Sequence, residues 1–412
     1  MTAPVLPPAR RAALQRQLLA WWDAGHRDLP WRFPQHAADP YRVWLAEVML
    51  QQTQVATATP YYRRFLARWP TLEALAAADD AEVFAAWSGL GYYARCRNLL
   101  AAARAALAAH GGLPRSLEAL RALPGFGPYT AGAVASIAFA LPAAAVDGNV
   151  ARVLARLFLL RGDPARPEVR ARLEALAAAL VHPARPGDWN QALMELGATV
   201  CARPAPACGR CPLARGCEAR RAGAEREVPQ ARQRAQAKPL WLACAVVERG
   251  GAVWLERRPS RGLFAGLRAF PAAEGASAAA ARRALAAWAE GAGGGPISAG
   301  APLAEAERLL THRRLRLAAY RCRAGGGVGE GGAGTWVPLA ALTWAGLPAA
   351  MQALVASVLD ALQAPASAPD EKKQGWARNR GRNRVEGAPS SRRKESGAPR
   401  SRTPLTRGGR SV

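Results

Sequence analysis

The sequence predicts a mainly helical N-terminal domain, a smaller α+β domain after it, and a polar tail. Three observations predict this order. Between residues 8 and 220, apolar residues recur every three or four positions, which is the period of an α-helix. From Leu240 the pattern changes to short strand-like runs, and residues 365–412 carry almost no apolar side chains. At 412 residues, the chain is long enough for two or three such units.

The helical segments of the first domain are separated by Pro and Gly residues, which mark turns. We predict helices over residues 11–22, 41–56, 72–87, 93–109, 116–123, 129–140, 147–160, 167–181 and 188–201. The helical domain therefore covers residues 8–220, and the charged, Gln- and Ala-rich stretch 221–238 is interpreted as a linker.

The second domain covers residues 239–363. We predict strands over 240–248, 252–257, 315–322 and 335–337, and helices over about 276–290 and 348–363. Residues 364–412 form the tail, in which residues 365–412 hold 13 basic and 4 acidic residues. Because this composition cannot bury a core, we expect the tail to be disordered.

The charge of the chain points to a polyanionic partner. Lys and Arg together number 56 against 30 acidic residues, a net charge of +26, which favours nucleic acid as the partner. There is no run of 18 apolar residues, so a membrane span is not expected. The N-terminal residues lack the apolar stretch of a secretory signal, and we expect a cytoplasmic protein.

Four of the seven cysteines lie within 17 residues, which indicates a metal site in a reducing compartment. They are Cys201, Cys208, Cys211 and Cys217, and their intervening lengths are 6, 2 and 5. Four thiolates can hold a [4Fe–4S] cluster or a structural zinc ion. Zinc sites usually show two C-x-x-C pairs, whereas this segment has one, so the spacing favours the cluster and leaves zinc as the alternative.

The string LPGFGPYTAG at 123–132 predicts two helices joined by a tight hairpin. Gly125 and Gly127 allow a close approach of the backbone to a ligand, and Pro128 is typical of a first helical residue. The exposed N–H groups at the start of the next helix, near Thr130, can bind a phosphate without reading base sequence. The alternative is an ordinary turn between helices, and the basic charge favours DNA.

Two carboxylates are candidates for acid chemistry. Asp147 precedes a predicted helix and is either its N-cap or a catalytic group that faces a cleft. Glu47 falls inside the apolar stripe of its helix, where burial raises a carboxyl pKa and suits a proton donor. The alternative for Glu47 is a core residue paired with a neighbouring helix.

A pair of carboxylates suggests cleavage of a glycosidic bond, because one acid protonates the leaving group while the other stabilises a cationic sugar. In DNA that bond joins the base to deoxyribose, and the base must first leave the stack. Gln51, Gln52 and Tyr92 are candidates for filling the gap. Three arginines are candidate phosphate contacts, with a solvated helix face as the alternative: Arg95, Arg97 and Arg152.

These signals, in this order, resemble the helix-hairpin-helix DNA glycosylases that carry an iron–sulfur cluster, over about residues 10–220. Long strings narrow the resemblance to the A/G-specific adenine DNA glycosylases, the MutY family. They are WLAEVMLQQTQ at 44–54, GLGYYAR at 89–95, VDGNV at 146–150 and NQALMELG at 190–197. The cysteine spacing is also similar to that of this family, which implies a [4Fe–4S] cofactor.

The resemblance implies roles for particular residues. Glu47 would protonate a ring nitrogen of adenine and later handle the water, while Asp147 would stabilise the cationic sugar. Tyr129 and Asn149 would line the pocket and support these carboxylates. Gln52 and Tyr92 would act at the duplex near the base opposite adenine. The implied partner is double-stranded DNA with adenine opposite 8-oxoguanine or guanine, bound by a monomer associated with the bacterial nucleoid.

Lysine usage separates this family from a related one. The similar endonucleases that act on oxidised pyrimidines place a Lys in the hairpin for lyase chemistry, whereas this chain has Tyr129 there. The first 237 residues contain no Lys at all. We therefore expect a monofunctional glycosylase. A pyrimidine-lesion glycosylase/lyase and a non-catalytic iron–sulfur DNA-binding redox sensor are the alternatives.

Residues 239–363 resemble the Nudix-like domain of the same family, through LERRP at 255–259 and GLFAGL at 262–267. The following helix carries Ala where Nudix hydrolases need a glutamate cluster, so we expect recognition rather than hydrolysis. The family often has an aromatic-Ser-His triplet that contacts 8-oxoguanine. The corresponding residues here are Leu310, Thr311 and His312, so the hydroxyl and the imidazole remain while the aromatic ring does not. A surface role is the alternative for His312.

Overall fold

The fold is taken from a computed structural model, which describes most of the chain. The described residues are 6–32, 39–230, 237–259, 261–291, 296–298, 300–310, 313–323, 328 and 334–364. Thr311, His312 and the predicted tail beyond residue 364 lie outside them. In this described part, no helix combines the length and apolarity needed to cross a bilayer.

The N-terminal region is built from helices, as predicted. The first eight are Pro8–Ala24 (α1), Pro40–Leu50 (α2), Val55–Arg68 (α3), Leu72–Ala77 (α4), Asp80–Trp87 (α5), Tyr93–His110 (α6), Leu117–Ala122 (α7) and Pro128–Phe139 (α8). Four more follow: Gly148–Leu157 (α9), Pro167–Leu180 (α10), Pro186–Thr199 (α11) and Glu218–Arg221 (α12). Between α11 and α12 the chain makes two short 3₁₀ turns, Cys208–Arg210 and Ala214–Gly216.

Two predicted helices differ from the structure. The predicted helix 41–56 ends at Leu50, and α3 then continues to Arg68 with Pro60 inside it. The predicted helix 72–87 is two helices, because the side chain of Asp79 accepts hydrogen bonds from the N–H groups of Ala81 and Glu82 and so begins α5.

The helical region has two apolar cores. The first is formed mainly by α2 to α8 and contains Trp44, Phe65 and Trp87. The second is formed by α1, α9, α10 and α11 and contains Leu18 and Trp189. The link from α8 to α9, residues 140–147, joins the two halves, so that side chains of α2 and of the start of α9 can share one site.

The C-terminal region is a seven-stranded sheet. The strands are Lys238–Arg249 (β1), Ala252–Arg257 (β2), Arg268–Ala269 (β3), Ala272–Gly275 (β4), Ala304–Leu309 (β5), Arg313–Arg323 (β6) and Gly334–Pro338 (β7). Their order is β3-β2-β1-β6-β5, with β4 also paired to β1 and β7 to β2. β1 runs parallel to β6, and the other pairs are antiparallel. The short strands β3, β4 and β5 were not predicted.

Helices cover both faces of this sheet. Leu242, Cys244 and Val246 of β1 face a core closed by helix Ala349–Gln363 (α14). Alternate residues of β1, such as Ala243 and Ala245, pack on helix Ala278–Gly291 (α13). Burial on both faces explains the continuous apolar run of β1. The predicted α+β class is confirmed.

Candidate active site

Glu47 lies on α2, where its neighbours on the helix are almost all apolar and buried. Its side chain is only 7% exposed. Burial raises the pKa of Glu47 to about 7, since the charged form loses its hydration, and the nearby charge of Asp147 acts in the same direction. The hydroxyl of Tyr129 donates a hydrogen bond to Oε2 of Glu47 and opposes part of this rise. A carboxyl with this pKa can hold or release a proton near neutral pH.

The hairpin before α8 brings Tyr129 to Glu47. Phe126 in the hairpin stacks on Trp44 of α2, with ring centroids 5.2 Å apart. Gly125 has φ +75°, and a Cβ there would lie 2.6 Å from the Cβ of Asn98, so only glycine fits this turn. The predicted helix-hairpin-helix is therefore present as α7, residues 123–127 and α8.

Asp147 is both the N-cap of α9 and a neighbour of Glu47. Its Oδ1 accepts from the N–H of Val150 at 2.7 Å, and its Oδ2 accepts from Nδ2 of Asn149 at 2.8 Å. Burial raises the pKa of Asp147, while these hydrogen bonds work against the rise. The charge of Asp147 also contributes to raising the pKa of Tyr129. The capping interpretation and the site interpretation of Asp147 are thus compatible.

Asn190 of α11 fixes the segment that leads to Asp147. Its Nδ2 donates to the carbonyl of Ala143 and to Oγ of Ser136, both at 2.8 Å, and its Oδ1 accepts from the N–H of Ala145 at 3.2 Å. Because Asn190 is 2% exposed, these bonds are shielded from water. They hold residues 143–145 in place before the cap.

A buried ion network beside Glu47 was not predicted from the sequence. Glu195 is 2% exposed and accepts from Nε of Arg27 at 2.6 Å and from Nη1 of Arg32 at 2.9 Å. Burial works against the charged form of Glu195, but these two arginines outweigh it and lower its pKa. The charge of Arg32 also reaches Glu47 and lowers its pKa. The sequence signal for this network was Glu195, a single acidic residue inside the string NQALMELG at 190–197.

The turn after α2 and the turn before α6 form one face. Gln51 donates from Nε2 to Oγ1 of Thr130 at 3.0 Å, which ties the end of α2 to the hairpin helix. Gln52 and Tyr92 have φ of 58° and 49°, a left-handed conformation that is costly for residues other than glycine. Tyr92 is 46% exposed. Strained residues persist where the surroundings hold them, and here Arg95 does so.

Arg95 joins these two turns and is not oriented as a free phosphate contact. Its Nη1 donates to the carbonyls of Val48, Met49 and Gln51, the first two at 2.8 and 2.9 Å. Its Nη2 donates to Oγ1 of Thr53 and to the carbonyl of Leu90. The donors of Arg95 are used by the protein in this structure, and its DNA contact stays a prediction.

Arg97 and Arg152 are engaged in the same way. Arg97 donates from Nη1 to the carbonyl of Ala265 in the C-terminal region. Arg152 donates to the carbonyls of Gly197 and Cys201 at 2.7 and 2.8 Å, and to Oδ1 of Asn149 at 2.8 Å. All three candidate phosphate contacts therefore hold backbone carbonyls. Arg152 also connects Asn149, and through it Asp147, to the start of the cysteine segment.

The four clustered cysteines are half-buried, and all four line one small cavity. Among the described residues, no group of three or more His, Cys, Asp or Glu side chains is arranged to hold a metal ion. The four thiols share the lining of this cavity. Arg156 lies against them, with Nη1 3.2 Å from Sγ of Cys201 and 2.9 Å from its carbonyl.

The buried guanidinium group of Arg156 indicates that this cavity suits a negatively charged group. Its side chain is 2% exposed, and within the described ranges no carboxylate forms a salt bridge with it. A buried cation is costly unless an anionic partner is near. Four thiolates around an inorganic cluster would supply that negative charge, so the donor set fits an iron–sulfur group.

The comparisons with known proteins agree with this architecture. A model of the HhH-GPD superfamily of base excision DNA repair proteins matches residues 45–178, and a NUDIX domain model matches residues 242–357. An adenine DNA glycosylase from Mycolicibacterium smegmatis is 41% identical over 208 residues, which are 50% of this chain and 69% of that protein. The chain belongs to the adenine DNA glycosylase family. This membership confirms the resemblance to the MutY family.

Other members of the adenine DNA glycosylase family match over a smaller share of their length. The human adenine DNA glycosylase is 51% identical over 221 residues, which are 52% of this chain and 40% of the human protein. The chain therefore spans less than half of that relative. Among solved structures, a thermostable thymine-DNA glycosylase has 29% identity and a TM-score of 0.46, over 52% of this chain and 97% of that chain.

The raised pKa of Glu47 predicts a pH-dependent cost to stability. Native Glu47 keeps its proton up to about pH 7, whereas unfolded Glu releases it near pH 4.5, so the native state loses stability as pH rises through this interval. Glu47→Gln removes this titration. We therefore expect the free energy of unfolding of the variant, relative to that of the wild type, to be higher at pH 8 than at pH 5 by at most about 3 kcal/mol. Urea unfolding at both pH values measures this.

The exposed Glu290 on α13 provides the control for this measurement. Glu290→Gln should change the unfolding free energy equally at pH 5 and pH 8. If Glu47→Gln behaves as Glu290→Gln does, Glu47 is charged in the native state across this range, and the buried proton donor is excluded.

Proposed function

We propose that this chain is a monofunctional adenine DNA glycosylase that acts on adenine opposite 8-oxoguanine or guanine in double-stranded DNA. The observation that carries the proposal is that Glu47, with a pKa of about 7, accepts a hydrogen bond from Tyr129 and lies close enough to Asp147 for the charge of Asp147 to raise this pKa. Family membership supports the same reaction. The substrate is a flipped deoxyadenosine, and the product is an abasic site.

The proposed reaction uses a protonated Glu47 and an ionised Asp147. Glu47 donates its proton to a ring nitrogen of adenine, and the bond between C1′ and the base breaks with its electron pair remaining on the leaving adenine. The ionised Asp147 stabilises the cationic sugar. A water then attacks C1′, and the carboxylate of Glu47 accepts the proton that this water releases. Hydrogen bonds from Val150 and Asn149 favour the charged form of Asp147.

The absence of an amine supports base removal without strand cleavage. Lyase chemistry at the sugar needs a nucleophilic amine to form a Schiff base. The sequence has no Lys before residue 238, and Tyr129 occupies the hairpin position. Tyr129 donates to Glu47, so that it supports the acid instead of attacking the sugar.

The proposed DNA contacts divide between the two regions. The start of α8, with Gly125, Gly127 and Thr130, binds phosphates through its backbone N–H groups. Gln51, Gln52 and Tyr92 occupy the space left in the duplex. The C-terminal region carries recognition of the opposite base through Thr311 and His312, which lie outside the described residues. The protein acts as a monomer, since one lesion needs one site.

We also propose that Cys201, Cys208, Cys211 and Cys217 hold a [4Fe–4S] cluster. The shared cavity and the buried charge of Arg156 support a negatively charged metal–thiolate group, and the single C-x-x-C pair supports the cluster over a zinc ion. When bound, the cluster supplies a negatively charged centre that orders the loop between α11 and α12.

The principal test is base release from a panel of duplexes. We expect free adenine from A opposite 8-oxoguanine and A opposite guanine, with no adduct trapped by borohydride. Glu47→Gln and Asp147→Asn should each lower the single-turnover rate by at least about 10²-fold while duplex binding is kept. A trapped adduct would instead favour the pyrimidine-type glycosylase/lyase, and tight binding without release would favour the redox sensor.

The pH profile tests the role of Tyr129. The single-turnover rate should fall above about pH 7, where Glu47 loses its proton. Because the hydrogen bond from Tyr129 lowers the pKa of Glu47, Tyr129→Phe should move this alkaline limb to higher pH as well as lower the maximal rate. A limb that stays in place, or moves to lower pH, would show that Glu47 is not the titrating acid.

Iron content tests the cysteine site. The purified protein should be brown and contain about four iron atoms per chain. Cys208→Ser and Arg156→Met should each lower iron content and DNA affinity, whereas Cys244→Ala, in the core of the sheet, should not change the iron content. Stoichiometric zinc in place of iron would disprove the cluster assignment.

A further inference from the structure

The segment Gly262–Leu267 of the C-terminal region docks on the helical region. Arg97 of α6 donates a hydrogen bond to the carbonyl of Ala265. Leu267 is 1% exposed and belongs to the apolar core of the helices rather than to the core of the sheet. Phe264 packs against both cores. One short loop therefore contributes a polar and an apolar contact to the helical region.

This loop is held in shape by its own hydrogen bonds. The N–H of Gly266 donates to the carbonyls of Arg258 and Pro259 at 3.2 and 3.0 Å, and the N–H of Leu267 donates to that of Phe264 at 3.1 Å. Phe264 has φ 59°, a conformation that costs free energy in a residue with a side chain. Because its own hydrogen bonds keep this loop in one shape, the loop can fix the position of the sheet relative to the helices.

Helix α6, on which the loop docks, also begins at the duplex face. Its N-cap is Tyr92, and Arg95 ties its first turn to the Gln51 turn. Arg97 follows Tyr92 by five residues, about 7.5 Å along a helix. The contact that holds the C-terminal region and the residue proposed to enter the duplex are therefore joined by little more than one rigid helical turn.

The remainder of this contact is sparse. A cleft of about 440 Å³ lies beside the loop, between the start of α5 and strands β2 and β3. Between the described residues of the two regions, two further polar contacts are long: Oγ of Ser88 lies 3.4 Å from the carbonyl of Leu347, and Arg257 lies 3.9 Å from Asp80. The backbone of Ala349 also comes close to the hydroxyl group of Tyr93. Arg97 provides a shorter hydrogen bond than the first two contacts, and Leu267 adds a buried apolar contact.

We propose that Arg97 and Leu267 are positioning residues that determine the preference for the base opposite adenine. They act by holding the C-terminal region at a fixed distance from the active site, so that the opposite base and the flipped adenine are engaged together. This inference rests on the proposed function. It differs from direct recognition, because neither residue contacts the opposite base.

The test compares Arg97→Ala with Arg170→Ala in the full-length protein. Arg170 lies on α10 and donates to Glu174 on the same helix. We expect Arg97→Ala to lower the single-turnover rate on A opposite 8-oxoguanine about fivefold or more, with the rate on A opposite guanine unchanged. Arg170→Ala should leave the ratio of the two rates as in the wild type.

Two further variants keep the result interpretable. Leu267→Ala removes the apolar contact and should lower the same ratio, whereas Arg97→Lys keeps a donor and should restore part of it. Hydrogen exchange of the amides of residues 262–267 should speed up in Arg97→Ala, while exchange in α8 stays constant. This measurement needs no substrate and reports undocking directly.

Three outcomes overturn the inference. An unchanged ratio of rates in Arg97→Ala, together with faster exchange, would show that docking does not control the preference. Unchanged exchange would show that Arg97 does not hold the loop. An equal loss on both duplexes would identify Arg97 as a general DNA contact. A wild-type protein that releases adenine from neither duplex would instead refute the proposed function itself.

Discussion

The raised pKa of Glu47 depends on the contact between the two halves of the helical region, because this contact buries its carboxyl group. The carboxyl group projects from an apolar helix into a space bounded by Tyr129 on one side and by the cap of α9 on the other. Burial removes the hydration that would keep Glu47 ionised, and one hydroxyl group replaces it only in part. The site therefore requires the hairpin, the link to α9 and the packing of Trp44 to be in place together.

The sequence predicted the class of both regions because their periodicities are strong. The helical pattern and the continuous apolar run of β1 each follow from burial in a known geometry. The strands β3 and β4 are only two and four residues long, which is too short to show an alternating pattern. They were therefore not predicted. Helix α3 was not predicted, and it forms with Pro60 inside it because tertiary packing of Tyr62 and Phe65 outweighs the lost hydrogen bond.

The sequence predicts the two acids as site residues, which stays a prediction, but it does not predict the contacts of the arginines. Glu47 stands out because a carboxylate in an apolar stripe has few structural explanations, whereas Asp147 is also explained as an N-cap and gains its assignment from the VDGNV string at 146–150. An arginine in a basic chain suggests a phosphate contact, and only the structure shows that Arg95 and Arg152 donate to carbonyls from distant segments. Every residue carries a backbone carbonyl, so the sequence cannot show which carbonyls these arginines contact.

The different environments of the two acids explain how one site can use both. Asp147 accepts a backbone N–H and a side-chain amide, and it lies at the N-terminus of α9, where the helix dipole favours negative charge. Glu47 accepts one hydrogen bond from a hydroxyl group and lies in the last turn of α2, where the helix dipole disfavours negative charge. Since two neighbouring carboxylates do not readily ionise together, the proposed mechanism places the negative charge on Asp147 and the proton on Glu47. In this proposal the cap of α9 keeps Asp147 charged so that it can stabilise the cationic sugar, and the apolar face of α2 keeps the proton on Glu47. Arg152 donates to Asn149 and to the carbonyl of Cys201, and so connects Asp147 to the cysteine segment.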